Sequence, residues 1–174
     1  MNIVSPEAIA GMIADSIAVK QKVLADKSLQ AAILKVTQVC IEAFKRGNKV
    51  LIAGNGGSAA DAQHMAAEFV ARFEFDRPGL PSIALTTDSS ALTAIGNDYG
   101  YERLFSRQVE ALGRKGEVFI GISPSGNSKN VLKAMEGCAE LGVLSVAMSV
   151  AGGDIHRMSA HVLPVPSTHT PRIQ

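Results

Sequence analysis

The sequence predicts an α/β fold: a parallel sheet of five short strands covered on both faces by helices, with two further helices in front of it. Three observations predict it. From Lys49 onward, short β-rich runs alternate with stretches of helical pattern, and strands joined by helical crossovers pair in parallel and bury both faces. Two of the runs break into small polar loops, Gly54-Asn55-Gly56-Gly57-Ser58 and Ser123-Pro124-Ser125-Gly126-Asn127-Ser128, each of which opens a helix. Before Lys49, apolar residues recur instead at helical spacing.

The first helix follows the start signal Ser5-Pro6 and carries Ile9, Met12, Ile13, Ser16, Ile17 and Lys20 on one stripe. Ile33, Val36, Val39, Cys40 and Phe44 mark the second, which ends at the breaker Gly47-Asn48. Strands are expected at Val50–Ala53, Ile83–Thr86, Val118–Ile122, Val143–Met148 and Val162–Val165. Helices are expected at Ala59–Phe73, Ser89–Ile95, Tyr101–Leu112 and Ser128–Leu141. A chain of 174 residues is long enough to bury a core without disulfides or structural metal. It therefore reads as one domain, 1–174, made of a helical pair (1–47) and an α/β core (48–174).

The 47% hydrophobic and 19% charged composition is that of a globular chain, not a disordered one. A net charge of +1 supplies no field to attract nucleic acid or an anionic membrane. No apolar run approaches the length of about 20 residues needed to span a bilayer, so a cytoplasmic protein without membrane or nucleic-acid partners is expected. Cys40 and Cys138 stand among apolar neighbours in helical stretches, as buried thiols of a reducing compartment do. The N-terminal helix pair, too amphipathic to stand alone, is expected to pack between subunits.

Both polar loops follow the carboxyl ends of strands, where open α/β sheets place their ligands. In the first, Gly54, Gly56 and Gly57 allow close backbone approach, and Asn55 and Ser58 bond a ligand or cap the helix. The spacing is neither that of a dinucleotide loop nor that of a nucleotide loop with its lysine, so NAD and ATP lose support. The second loop places the hydroxyls of Ser123, Ser125 and Ser128 and the Asn127 amide in one turn at a helix start. Such donors satisfy the acceptor oxygens of a phosphate without a lysine. Two loops of this kind in one sheet indicate a phosphosugar pocket.

His64 and Glu68, at i and i+4, share one helix face with Asp61 a turn earlier. The pair suits a divalent metal, or a base that moves a proton between adjacent carbons of a sugar; it is equally an ordinary surface pair. Asn97-Asp98, expected just after a helix, is either a turn or a polar wall of the pocket. His156, His161 and His169 lack metal-ligand spacing and read as surface or loop residues, and Arg72 and Arg77 as solvated charge.

Taken together, Ala53 to His64, Glu68, Gly96-Asn97-Asp98, Gly121 to Ser128 and Pro171-Arg172-Ile173-Gln174 closely resemble the phosphoheptose isomerases of the sugar isomerase (SIS) domain proteins. The resemblance runs over nearly the whole chain. It implies a parallel αβα sandwich, a homotetramer with active sites at subunit contacts, and isomerisation of sedoheptulose 7-phosphate to D-glycero-D-manno-heptose 7-phosphate through an enediol. That step opens heptose synthesis for lipopolysaccharide core or surface glycans.

Carried onto this sequence, the resemblance makes Glu68 the general base. Asn55, Gly56, Gly57, Asn97 and Asp98 become substrate contacts, and Ser123, Pro124, Ser125 and Ser128 the phosphate loop. His64, Glu68 and Gln174 become zinc ligands, with Glu68 and Gln174 also touching substrate. Pro124 departs from the usual Thr, removing a hydroxyl and an N–H and predicting weaker phosphate binding. The family continues beyond the position of Gln174 into a helix bearing a histidine, the expected fourth zinc ligand, so the site is expected to be incomplete without it. Two rival readings on the same fold are a regulatory protein that associates with a replication initiator and a phosphosugar-sensing domain of a transcription regulator. Glu68 and Asp61 favour the enzyme over the first, and the lack of a helix-turn-helix or basic face counts against the second.

Overall fold

The computed structural model describes residues 4–173; Gln174 lies outside them. Five strands, β1 (Val50–Gly54), β2 (Ser82–Ala84), β3 (Val118–Ser123), β4 (Leu144–Val150) and β5 (His161–Val165), form one sheet in the order β2-β1-β3-β4-β5. Every pairing is parallel. All residues of β1 and β3 are buried, as central strands between two helical layers must be. The five expected strands are all present, each within two residues of its predicted ends.

Alternation along the strands sorts the core into two layers. Leu51, Ala53 and Phe119 point to one face and pack with Leu104, Phe105, Val109, Val131, Met135 and Cys138. Val50, Ile52, Val118, Ile120 and Ile122 point to the other and pack with Val36, Cys40, Ala43, Ala62 and Ala66. The first layer is roofed by α5 (Ser106–Leu112) and α6 (Lys129–Leu141), the second by α2 (Lys27–Lys45) and α3 (Gly57–Val70). Gly121 makes the first layer possible: a Cβ there would stand 2.5 Å from Met135 Cε and 2.7 Å from Val131 Cγ1. Both cysteines are free and buried, as expected.

The first helix, α1 (Pro6–Ala25), starts as predicted: the Ser5 side chain accepts the Ala8 N–H at 3.2 Å and Pro6 occupies the first turn. No described residue of α1 is buried, and Ile9, Met12, Ile13 and Ile17 are each more than half exposed.

Several elements differ from expectation. The helix α3 stops at Val70, not Phe73, because Arg77 turns back and donates to the carbonyls of Glu68 (2.7 Å) and Phe69 (2.8 Å). Arg77 is thus a helix cap, not free charge. The next helix, α4 (Ser89–Tyr99), extends past Ile95 and takes Asn97 and Asp98 into its last turn, where the expectation set them after a helix. The stretch 101–112 is a 3₁₀ turn, Tyr101–Arg103, followed by α5. Two short helices, α7 (Asp154–Met158) and α8 (Thr170–Ile173), have too few residues to show a helical period.

Candidate functional site

In the order β2-β1-β3-β4-β5 the chain reverses direction across the sheet between β1 and β3, and the crevice at such a point is where open α/β sheets bind ligands. The register places Gly54 beside Ile122, so the two polar loops leave the sheet side by side. In the first, a Cβ on Gly54 would lie 2.6 Å from Ser58 Cβ; only glycine lets α3 begin so close to its strand. Gly56 adopts φ 57° and turns the chain into α3. Ser58 does not cap that helix: it is buried inside its first turn, and Gly56 occupies the cap without a side-chain bond.

The second loop is internally braced. Ser123 Oγ, fully buried, donates to Ser128 Oγ at 2.9 Å and accepts the Ser128 N–H at 3.3 Å. The Ser125 hydroxyl accepts the Asn127 N–H at 3.2 Å. Ser128 is the N-cap of α6 and makes no side-chain cap bond, and a helix start of this kind offers backbone N–H donors suited to an anion. Pro124 supplies its carbonyl to the Val150 N–H at 3.2 Å, which ties the loop to the end of β4.

A third loop, between β4 and α7, supports the second from behind. Gly126, at φ 71°, and Gly153, at φ 86°, meet backbone to backbone: a Cβ on either would stand 2.9 Å from a carbonyl of the other loop. The Ile155 N–H donates to Gly126 O at 3.1 Å, and the Asp154 N–H to Asn127 Oδ1 at 3.1 Å. His156 anchors this support, with Nε2 2.8 Å from the buried Ser149 Oγ and Nδ1 accepting the Gly152 N–H at 3.4 Å. Ser149 Oγ also donates to Val150 O at 2.9 Å, so His156, Ser149 and the end of β4 form one hydrogen-bonded chain. His156 is therefore not the loop residue its sequence context predicts. The missed signal was the alternation of β4, which turns Ser149 inward.

The helix α3 carries the candidate carboxylate. His64 Nε2 stands 3.8 Å from Glu68 Oε1, with side chains 76% and 34% exposed. The pair lines a cavity of about 460 Å³ with Met65, Phe69, Phe73 and Phe75. On its other side His64 borders a cavity of about 230 Å³ with Asp61, Ile122 and Ile173. Glu68 comes eleven residues after Gly57, about 16 Å along the helix axis from the first loop. The single chain thus unites the two loops, and separately His64 with Glu68 and Asp61, but keeps the carboxylate away from the loops. Asn97 donates to Asp98 at 2.7 Å, both of them exposed.

An imidazole and a carboxylate at this separation can both reach one zinc ion at its usual bond lengths, so the pair can supply two of its ligands. Among the described residues, no group of three His, Cys, Asp or Glu completes it.

The SIS domain family matches residues 8–149. Phosphoheptose isomerase 2 of Campylobacter jejuni is 60% identical over 95% of this chain and 83% of its own length, and the phosphoheptose isomerase of Aneurinibacillus thermoaerophilus is 59% identical over 95% and 84%. The structure of phosphoheptose isomerase GmhA from Neisseria gonorrhoeae superposes with a TM-score of 0.88 at 44% identity, covering 96% of this chain and 89% of that one. A phosphoheptose isomerase from Francisella tularensis superposes with a TM-score of 0.92 at 34% identity, covering 98% and 90%. The strand order, the paired loops and these similarities over almost the whole chain agree: the protein belongs to the phosphoheptose isomerases of the SIS domain family.

Proposed function

We propose that this protein converts sedoheptulose 7-phosphate into D-glycero-D-manno-heptose 7-phosphate, with the phosphate at the Ser123–Ser128 loop and Glu68 as the base. The observation that carries the reading is the pairing of two helix-opening loops at the β1/β3 crevice, in a chain 60% identical to a phosphoheptose isomerase. Ser125, Ser128 and the first-turn N–H groups of α6 hold the phosphate, with the buried Ser123 hydroxyl bracing Ser128, and the α6 dipole favours the phosphate charge. Pro124 adds no donor, and the remaining hydroxyls carry the binding. Asn55 and the backbone of Gly56 and Gly57 contact the sugar from the neighbouring loop, and Asn97 and Asp98 line it.

Glu68 removes a proton from C1 of the ketose, leaving a 1,2-enediolate with its charge on O2; the O1 hydroxyl proton passes to O2, and a proton returned to C2 by Glu68 forms the C1 aldehyde. A carboxylate on a fourteen-residue helix is held rigidly enough for this transfer. His64 and Glu68, with Gln174 from outside the described residues, would hold a zinc ion, which when bound supplies polarisation of the sugar oxygens.

The separation of Glu68 from the loops supports a site completed by a second copy of the chain, and the exposed apolar face of α1 supports a homotetramer. No helix among the described residues is long and apolar enough to cross a membrane, in keeping with a cytoplasmic enzyme of heptose synthesis.

The test is incubation with sedoheptulose 7-phosphate, with and without zinc, followed by proton NMR. Aldose anomeric signals are expected with the wild type. Glu68→Gln should keep its fold and lose about 10²- to 10⁴-fold in turnover. Absence of conversion by the wild type would overturn the activity, and near-native turnover of the variant would remove Glu68 from the role of base.

A further inference from the structure

We propose that Asn130 is a positioning residue for substrate, acting through Asn55; this rests on the reading of Asn55 as a substrate contact. Asn130 stands in the first turn of α6, 3% exposed, yet its side chain serves neither the helix nor the phosphate loop. It makes a reciprocal amide pair across the crevice: Asn130 Nδ2 donates to Asn55 Oδ1 at 2.9 Å, and Asn55 Nδ2 donates to Asn130 Oδ1 at 2.9 Å. The Tyr101 hydroxyl, from the 3₁₀ turn, donates to the same Asn55 Oδ1 at 2.9 Å.

A primary amide offers two N–H donors and two acceptor lone pairs. Asn130 and Tyr101 occupy both lone pairs of Asn55, and Asn130 takes one N–H. One N–H remains, on a half-buried side chain at the crevice, and its direction is fixed because the other three positions are held. That N–H meets an acceptor oxygen of the sugar without first losing rotational freedom. The same pair locks the β1 loop to the start of α6, so the sugar contact and the phosphate site keep one spacing. The Lys129–Glu102 ion pair, 2.9 Å, holds the 3₁₀ turn to α6 beside it.

The test is a double-mutant cycle read in kcat/KM for sedoheptulose 7-phosphate and in the Ki of inorganic phosphate as a competitive inhibitor. Asn130→Ala should lower kcat/KM about 10- to 100-fold, the scale of a misplaced contact, and leave the phosphate Ki within about twofold of wild type. In an Asn55→Ala background, Asn130→Ala should cost no more than about a further twofold, because two residues acting as a unit are not additive. Tyr101→Phe, at a side chain exposed enough to tolerate the change, should give a smaller loss that also vanishes in the Asn55→Ala background.

Equal losses with and without Asn55 would overturn the proposal, as would a phosphate Ki that rises in step with the loss of activity. If Asn130→Ala does not fold, the Tyr101→Phe arm decides alone. Wild-type activity in Asn55→Ala itself would overturn the reading of Asn55, and this proposal with it; the two failures are therefore distinguishable.

Discussion

At the scale of single residues, helix geometry decides which side chains of α3 can act together. The i to i+4 relation of His64 and Glu68 predicts a shared face, and the side chains meet at 3.8 Å. Asn130 and Tyr101 were not legible, because their shared partner Asn55 lies 75 and 46 positions away and only the folded sheet brings it to them. The cysteines were legible from apolar neighbours alone. Burial raises the Cys40 thiol above its ordinary value and pushes Cys138 up to about 12. Because the folded value of Cys138 exceeds the ordinary 9.0, its contribution to stability is complete below that value and is lost as pH rises toward about 12. Ellman's reagent at about pH 8 should therefore find no fast-reacting thiol in the native protein and two after denaturation. A fast-reacting native thiol would contradict the burial.

At the scale of elements, strands were easier to read than helices, since apolar runs bounded by glycine and serine leave little choice. Helix ends were harder. The helix α3 stops at Val70 because a distant Arg77 takes its last carbonyls, and α4 runs on through Asn97 and Asp98 to Gly100, whose φ of 83° ends it. The two polar loops were legible as helix-opening turns at strand ends, but their bracing was not, because the contact of Gly126 with Gly153 joins segments far apart in sequence. Gly126→Ala tests that bracing. The added Cβ meets Gly152 O at 2.9 Å on a backbone at φ 71°, which should destabilise the protein by about 1–3 kcal/mol. Thermal unfolding checks the stability, and a raised Ki for inorganic phosphate checks that the phosphate loop moved. An unchanged Ki would detach the β4–α7 loop from phosphate binding.

At the scale of the whole molecule, alternation of strands and helices predicted the parallel sheet, but the strand order emerges only in three dimensions, and that order brings the two loops together. The apolar stripe of α1, legible from Ile9, Met12, Ile13 and Ile17, has no cover within the described chain. If a second copy covers it and completes the site, Ile13→Lys with Ile17→Lys should sediment as a monomer and lose conversion, whereas the wild type sediments as a larger species. A doubly substituted chain that remains associated and active would place the contact elsewhere.

The most direct test of the proposed chemistry is isomerisation of sedoheptulose 7-phosphate in D₂O, with the product read by NMR and mass spectrometry. Proton transfer through an enediol predicts aldose carrying solvent deuterium at C2 with the wild type. Conversion that leaves C2 free of deuterium at equilibrium would contradict the enediol and the role given to Glu68.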